Sequence, residues 1–360
     1  MATTLPSPRP KSPPPTISSP PLPDPRHAGD VASIDAAGIL ERHAQNPSAF
    51  LALNDGTRHF AVPGVDGVIA YQLAGRSTIV QFGGVFAQPG DQGLLLGAFL
   101  DFAHVAKRKI VSVQLMRQDA ELYATYGFTV NQFGADYSRA LAAFNLKGKK
   151  YMQLRNKVSR ARRAGVSVTE IDNVGRVDLA GALDEIDQVW LRSKGRHAKE
   201  LKVMTGQRAG SAQSRRRLFV GHDESGAVLG YVSFSPVFGA ESGWLHDLSR
   251  RRPDAPPGVL ELIVVTAVET FQAEGAGHLH FGFTPFTNLS PEHEVAGASR
   301  VTARILRFLA AHGSAIYPAA DQLAYKEKWG LDLVQSEYIA FQGRISLRRV
   351  WGLLRVTSAI

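Results

Sequence analysis

Between residues 149 and 341 the apolar periodicity changes in an order that leaves few folds open. Residues 149–164 carry Tyr151, Leu154, Val158 and Ala161 at spacings of three and four, a helical stripe that stops at Gly165. A strand at 166–171 and a helix at 179–192 follow. Next come strands at 217–222, 228–236 and 243–248, the first two joined through Glu224-Ser225-Gly226. A long helix at 259–274 ends at Gly275, a strand at 278–283 follows, then a helix at 298–312 and a strand at 334–341. A helix, an antiparallel meander, and then helix, strand, helix, strand require a mixed sheet covered by helices.

This is the element order of the acetyltransferase-like (GNAT) fold. Residues 34–132 read as a weaker copy: a helix at 36–46, strands at 50–53, 58–62, 68–73 and 78–82, a helix at 90–106, a strand at 110–115, a helix at 119–126 and a strand at 128–132. The expected fold class is therefore α/β, two tandem GNAT-like halves with mixed sheets flanked by helices. The halves are expected at 31–145 and 146–345, the second carrying the chemistry, with a helix or tail at 346–360. Residues 1–30 hold ten of the 20 prolines, among them Pro13, Pro14 and Pro15, and read as a disordered tail.

The 360-residue chain has no cysteine, which excludes disulfides and thiolate metal sites. No apolar run reaches the ~18–20 residues of a membrane span, and the N-terminus carries no signal-like segment. A cytoplasmic protein is expected, peripheral at most at the inner membrane face. The formal net charge of +9 favours phosphate-rich partners. Walker, dinucleotide, nucleophile-elbow and His-Glu-x-x-His patterns are missing from the sequence, as is any evident metal site.

Several clusters carry possible chemistry. The helix at 149–164 bears Arg155, Lys157, Arg160, Arg162 and Arg163, a dense cation group that a polyanion such as tRNA would offset; the plain alternative is a solvated basic face. The segment Trp244 to Gly258 holds Asp247 and Arg250 where strand gives way to long helix, the place at which this fold opens to receive its acyl donor. His278, Leu279, His280, Phe281 and Gly282 form an alternating strand; Gly282 and Thr284 stand at its end. Lys326 and Lys328 flank Glu327 before Trp329, and Tyr231 lies on the second meander strand. Acetyl-CoA is the first donor to weigh. Its pyrophosphate turn is replaced at the junction by prolines, which remove N–H donors. The one matching pattern, Gln207 through Gly210 to Ala212, precedes the meander.

Taken in order, Leu154-Arg155-Asn156 through Gly165, Asp247-Leu248-Ser249-Arg250, Pro257 to Leu262, Phe281 to Phe286, and Tyr325 to Trp329 with Tyr338 resemble the catalytic domain of lysyl-phosphatidylglycerol synthases, over roughly residues 35–345. The resemblance implies an aminoacyltransferase that draws on charged tRNA as co-substrate without a cofactor. The implied acceptor is a hydroxyl of phosphatidylglycerol or, in relatives without membrane segments, a small-molecule hydroxyl or amine. It implies that Asp247, Arg250, Glu261, Lys326 and Lys328 line or support the aminoacyl site; catalytic roles are expected of Asp247, Arg250 and Glu261, and substrate contacts of Lys326, Lys328, Gly282, Thr284 and Tyr231. From its charge pattern the basic helix is expected to supply tRNA or lipid-phosphate contacts from Arg155, Lys157, Arg160, Arg162 and Arg163. The chain departs from the family pattern at Leu260-Glu261 and Thr284, and it shows no flippase segment. The other readings are an acyl-CoA-dependent acetyltransferase and a non-catalytic protein binding RNA or anionic lipid.

Deleting residues 1–30 should leave the thermal melting midpoint nearly unchanged, because a proline-rich stretch contributes little to a core. A fall of many degrees in a melting experiment would refute this assignment.

Overall fold

The computed structural model describes residues 34–193, 205–312 and 319–356. The proline-rich tail lies outside them. Residues from Ile34 onward belong to one compact unit. The first run of elements is α1 (Ala36–His43), β1 (Arg58–Phe60), β2 (Gly67–Ala74), β3 (Thr78–Ala87), α2 (Gln92–Val105), β4 (Lys109–Leu115), α3 (Arg117–Thr125) and β5 (Phe128–Ala140). The second is α4 (Met152–Arg163), β6 (Ser167–Ile171), α5 (Asn173–Asp178), α6 (Ala180–Ser193), β7 (Arg217–His222), β8 (Val228–Val237) and β9 (Gly243–Arg251). It continues through α7 (Val259–Ala273), β10 (His278–Pro285), α8 (Arg300–His312), α9 (Ala319–Glu327), β11 (Leu333–Gln342) and α10 (Leu347–Val356).

All strands join one eleven-stranded mixed sheet in the order β1-β2-β3-β4-β11-β5-β10-β9-β8-β7-β6. The two runs exchange their last strands. β11 enters the first run between β4 and β5, and β5 lies against β10 of the second. β5 and β11 pair antiparallel from Leu333↔Ser138 to Gln342↔Phe128. Among the described strands only the pairs β3/β4 and β9/β10 are parallel, each joined by a crossover helix. The result is the α/β architecture expected, with the acetyltransferase-like element order in a single continuous sheet.

Helices cover both faces. α7 is apolar around most of its surface and buries Val259, Leu262, Ile263, Val264, Val265, Val268 and Phe271 between the sheet and α4. The predicted stripe Tyr151, Leu154, Val158 and Ala161 is the face that α4 turns inward. On the other side, Leu183 and Ile186 of α6 pack on Leu218, Val220 and Tyr231. In the first run, Leu95, Leu96 and Phe99 of α2 fill one face, while Leu353 of α10 closes the other over Val80 and Phe341.

Three elements differ from expectation. Residues 50–53, expected as a strand, form a 3-10 helix at Ala49–Leu53 with Phe50 and Leu51 buried. A short apolar run does not distinguish strand from buried helical turn, and here Asn46 accepts the Ser48 N–H at 2.7 Å and turns the chain. The helix expected at 179–192 forms as α6, but a short helix that was not expected, α5, precedes it across Leu179. β5, expected to end near 132, runs to Ala140. Its continuation pairs with β10 and β11 and carries Asp136 and Ser138, polar residues that are buried.

Gly258 brings the start of α7 close against α4. It has φ 96°, and a Cβ there would lie 2.1 Å from the Lys157 carbonyl oxygen. Gly275, at φ 79°, has open space around it. Gly258→Ala should therefore cost about 2–3 kcal/mol or more, clearly beyond Gly275→Ala, which meets only backbone strain. Equal denaturation midpoints for the two variants would contradict the close helix approach.

Candidate active site

β9 and β10 stay together for only three register pairs, His278↔Gly243, Leu279↔Trp244 and His280↔Leu245. Beyond them β9 follows β8 as far as Arg251, while β10 bulges between His280 and Phe283 and follows β5. Gly282 takes φ 73° at that bulge. The diverging strands open a cleft edged by main-chain groups. On the β9 side the Asp247 carbonyl accepts the Gly206 N–H at 3.0 Å. On the β10 side the Gly282 carbonyl accepts a hydrogen bond from Lys326 Nζ, which also lies 3.3 Å from the Phe283 carbonyl.

α9 and the turn after it bring Lys326, Lys328 and Tyr325 to this opening. Glu261, in the first turn of α7, accepts from Lys328 Nζ at 2.7 Å and from Lys157 Nζ at 2.9 Å. Burial raises the Glu261 carboxyl, but the two ammonium groups outweigh it and hold the acid below its usual range. Lys328 Nζ lies 3.7 Å from the Tyr325 ring centroid. His246 faces Tyr325 at 6.0 Å and Phe281 at 6.2 Å between ring centroids. Burial, helped by Lys326 and Lys328, pushes its imidazole down to about 3, so it is neutral at physiological pH.

Lys326 is 6 % exposed. Burial pushes its amine down to about 8, against the pull of Asp136 and Glu337. Glu337 is fully buried, and burial followed by the nearby Asp136 raises its carboxyl well above the ordinary value. Among the described residues, both Glu337 carboxyl oxygens, Asp136 Oδ2 and Thr284 Oγ1 lack a hydrogen-bond partner. His280 is held between Ser138 Oγ at 2.6 Å and the Glu241 carbonyl at 2.7 Å, which accounts for both ring nitrogens structurally.

The three residues expected to carry the chemistry do not converge. The Asp247 side chain is 0 % exposed and accepts from Arg216 at 3.1 Å and from Ser235 Oγ. Arg216 also donates to Asn54 Oδ1 at 2.6 Å and covers the Phe50 ring, tying the 3-10 helix to β9. Only the main chain of Asp247 reaches the cleft. Burial raises its carboxyl even beside Arg216. Arg250 lies instead in a cluster around Asp187: Arg250 Nη1 stands 3.1 Å from one carboxylate oxygen, which also accepts from the Tyr231 hydroxyl, and Arg208 Nε reaches the other at 2.9 Å. Trp190 stacks over the Arg250 guanidinium at 4.7 Å. Glu261 stands apart with its two lysines.

The predicted phosphate contacts divide too. Arg155 donates to the Leu146 and Gly148 carbonyls and fixes the turn before α4, while Lys157 is engaged by Glu261. Arg160, Arg162 and Arg163 are exposed. His246, Arg216, Asp187, Asp136 and Glu337 were not singled out as site residues from the sequence. His246 and Asp247 are neighbours in one motif, but strand alternation sends their side chains to opposite faces. Asp136 and Glu337 share no local motif and meet only through the β5–β11 exchange. No group of three or more His, Asp or Glu residues among the described ones is placed to hold a metal ion.

A family profile described as "Phosphatidylglycerol lysyltransferase, C-terminal" matches residues 37–341. Phosphatidylglycerol lysyltransferase of Bacillus subtilis is 24% identical over 313 residues, covering 86% of this chain and 35% of that protein. The lysylphosphatidylglycerol biosynthesis bifunctional protein LysX of Rhodococcus opacus is 28% identical over 184 residues, 51% of this chain and 16% of that protein. The chain thus spans about a third or less of these relatives. The solved structure of L-PGS from Bacillus licheniformis superposes with a TM-score of 0.73 at 20% identity, covering 90% of this chain and 96% of that one, and shares the fold.

The enclosed Arg216–Asp247 pair yields a stability test. Arg216→Ala strands a buried carboxylate and should cost about 3–5 kcal/mol. A denaturant titration placing Arg216→Ala within about 1 kcal/mol of the parent, inside the range of an exposed pair, would show that water reaches it.

Proposed function

This chain belongs to the phosphatidylglycerol lysyltransferase C-terminal family, and from that premise we propose that it transfers an aminoacyl group from charged tRNA to a hydroxyl of phosphatidylglycerol at the β9–β10 cleft. The observation that carries the reading is the Lys326 amine, held at the cleft by the Gly282 carbonyl with a proton affinity lowered to about 8. An aminoacyl ester is already activated, so orientation, a proton acceptor and oxyanion stabilisation suffice. The acceptor hydroxyl oxygen forms a bond to the ester carbonyl carbon as its proton passes to neutral Lys326. The tetrahedral intermediate then expels the terminal ribose oxygen of tRNA, which takes that proton back from Lys326. Asp247 is enclosed and paired, so in this reading it shapes the β9 edge rather than moving protons.

Lys328, anchored by Glu261, supplies a cation for the tRNA terminal phosphate or the developing oxyanion. Arg160, Arg162 and Arg163 of α4 supply a surface for tRNA phosphates. Thr284 Oγ1, buried and without a partner among the described residues, is available to a substrate polar group. The lipid acceptor sets the protein at the face of an anionic membrane. No helix among the described residues is long and apolar enough to cross one.

The test is transfer of labelled amino acid from a pool of charged tRNAs to phosphatidylglycerol. Because the neutral amine accepts the proton, the rate should rise with pH through about 8. Lys326→Met should lower turnover by roughly 10²–10⁴-fold and remove that rise, with tRNA affinity nearly unchanged. Consumption of acetyl-CoA with no response to any charged tRNA would overturn the proposal. So would a folded Lys326→Met variant with parental turnover.

A further inference from the structure

α8 carries a second feature that the cleft does not use. Val301, Ile305 and Phe308 are 70, 53 and 62 % exposed, although large apolar side chains on a covering helix normally face inward. Ala303 is buried and Thr302, Leu306 and Leu309 are half-buried, so the helix has a proper inner side as well. At about 100° per residue, Val301, Ile305 and Phe308 fall within an arc of about 60°. Arg300, Arg304 and Arg307 fall within a similar arc along one border of that stripe. All three arginines are exposed, and among the described residues none of them is in an ion pair.

We propose that α8 seats this protein on an anionic bilayer. Val301, Ile305 and Phe308 enter the boundary between headgroups and acyl chains, and Arg300, Arg304 and Arg307 meet lipid phosphates. The inference rests on the lipid acceptor proposed above and names the surface that meets it. An exposed apolar stripe bordered by cations is the composition of a helix lying in a membrane interface. The cations complement anionic lipid, to which the chain's net charge of +9 is also drawn. RNA would be met by the arginines but gives no reason for three outward aliphatic and aromatic side chains. Three side chains on one short helix also fall short of the roughly 800 Å² per partner of a standard protein interface. α8 packs on β5, the strand that pairs with β10 of the cleft.

The full chain would be co-sedimented with vesicles of phosphatidylcholine alone and of phosphatidylcholine mixed with phosphatidylglycerol. The variants are Ile305→Ser with Phe308→Ser, and Arg304→Gln with Arg307→Gln; Trp351→Ser, at an exposed site on α10, is the control. Melting curves check folding, which exposed positions should leave intact. The parent should bind the mixed vesicles, and each α8 double variant should bind them at least tenfold more weakly while Trp351→Ser does not. Transfer to long-chain phosphatidylglycerol in vesicles should fall with binding, and transfer to a short-chain, monomeric phosphatidylglycerol should not. Parental binding by the folded double variants would overturn the proposal, as would a parent that ignores mixed vesicles. Loss confined to Trp351→Ser, a parental dimer dissolved by the apolar double variant, or loss of tRNA binding in place of vesicle binding would overturn it too. If vesicle binding depends on α8 but neither lipid is aminoacylated, the seat stands and the proposed activity falls.

Discussion

The antiparallel pairing of β5 with β11 is the contact on which the rest of this molecule depends. Each strand ends one run of the chain and lies inside the other run's half of the sheet. Neither run can complete its sheet alone, because the edge of β4 is closed by β11 and the edge of β10 by β5. Unpaired edges of that kind would expose rows of backbone donors and acceptors. The exchange removes both edges and merges two sets of helices over one continuous sheet. It also places polar residues at the centre of the sheet: Asp136 and Ser138 on β5 and Glu337 on β11 are all buried.

The same exchange makes the two parallel strand pairs comparable. β4 bulges against β11 and β10 bulges against β5, and each bulge contains a residue with positive φ, Gln114 at 55° and Gly282 at 73°. In the first half the Gln114 carbonyl is capped by the amide of Asn46. In the second half the Gly282 carbonyl is capped by the amine of Lys326. An amide cannot titrate in any useful range, whereas a buried amine can. The first opening is closed off by the segment that includes Asn46 and the 3-10 helix, and Phe50 of that helix lies beneath Arg216. One half thus braces the sheet while the other keeps an ionisable group at its cleft.

Much of the architecture was legible because periodicity reports burial. The stripe of α4 and the apolar run of α7 predict their own packing, and the meander β7–β8–β9 follows from alternation and turn residues. Legibility fails where burial and polarity part company. β5 reads as ending near 132 because Asp136 and Ser138 look like loop residues, yet they are enclosed by strands distant in sequence. The site divides in the same way. Lys326, Lys328 and Glu261 were legible from their motifs and do gather on one side of the cleft. Asp247 and Arg250 share a motif with His246, yet their side chains serve two separate ion clusters, and the sequence carries no sign of the partners Arg216 and Asp187 that claim them. Within α4, composition marks five cations but not that Arg155 and Lys157 are engaged by the protein itself.

The charge states around Lys326 complete the physical picture. Three ionisable groups in a dry seam cost more than apolar side chains of the same volume would, and a buried acid without a hydrogen-bond partner escapes much of that cost by staying protonated. Glu337 is in that position, with burial and Asp136 both favouring its neutral form. The Lys326 proton is held by the attraction of Asp136 and Glu337 and loosened by burial, which is the stronger influence, so its affinity settles at about 8. Burial and the two nearby acids together set the affinity of the amine, a balance that depends on the strand exchange that brings β11 to β5.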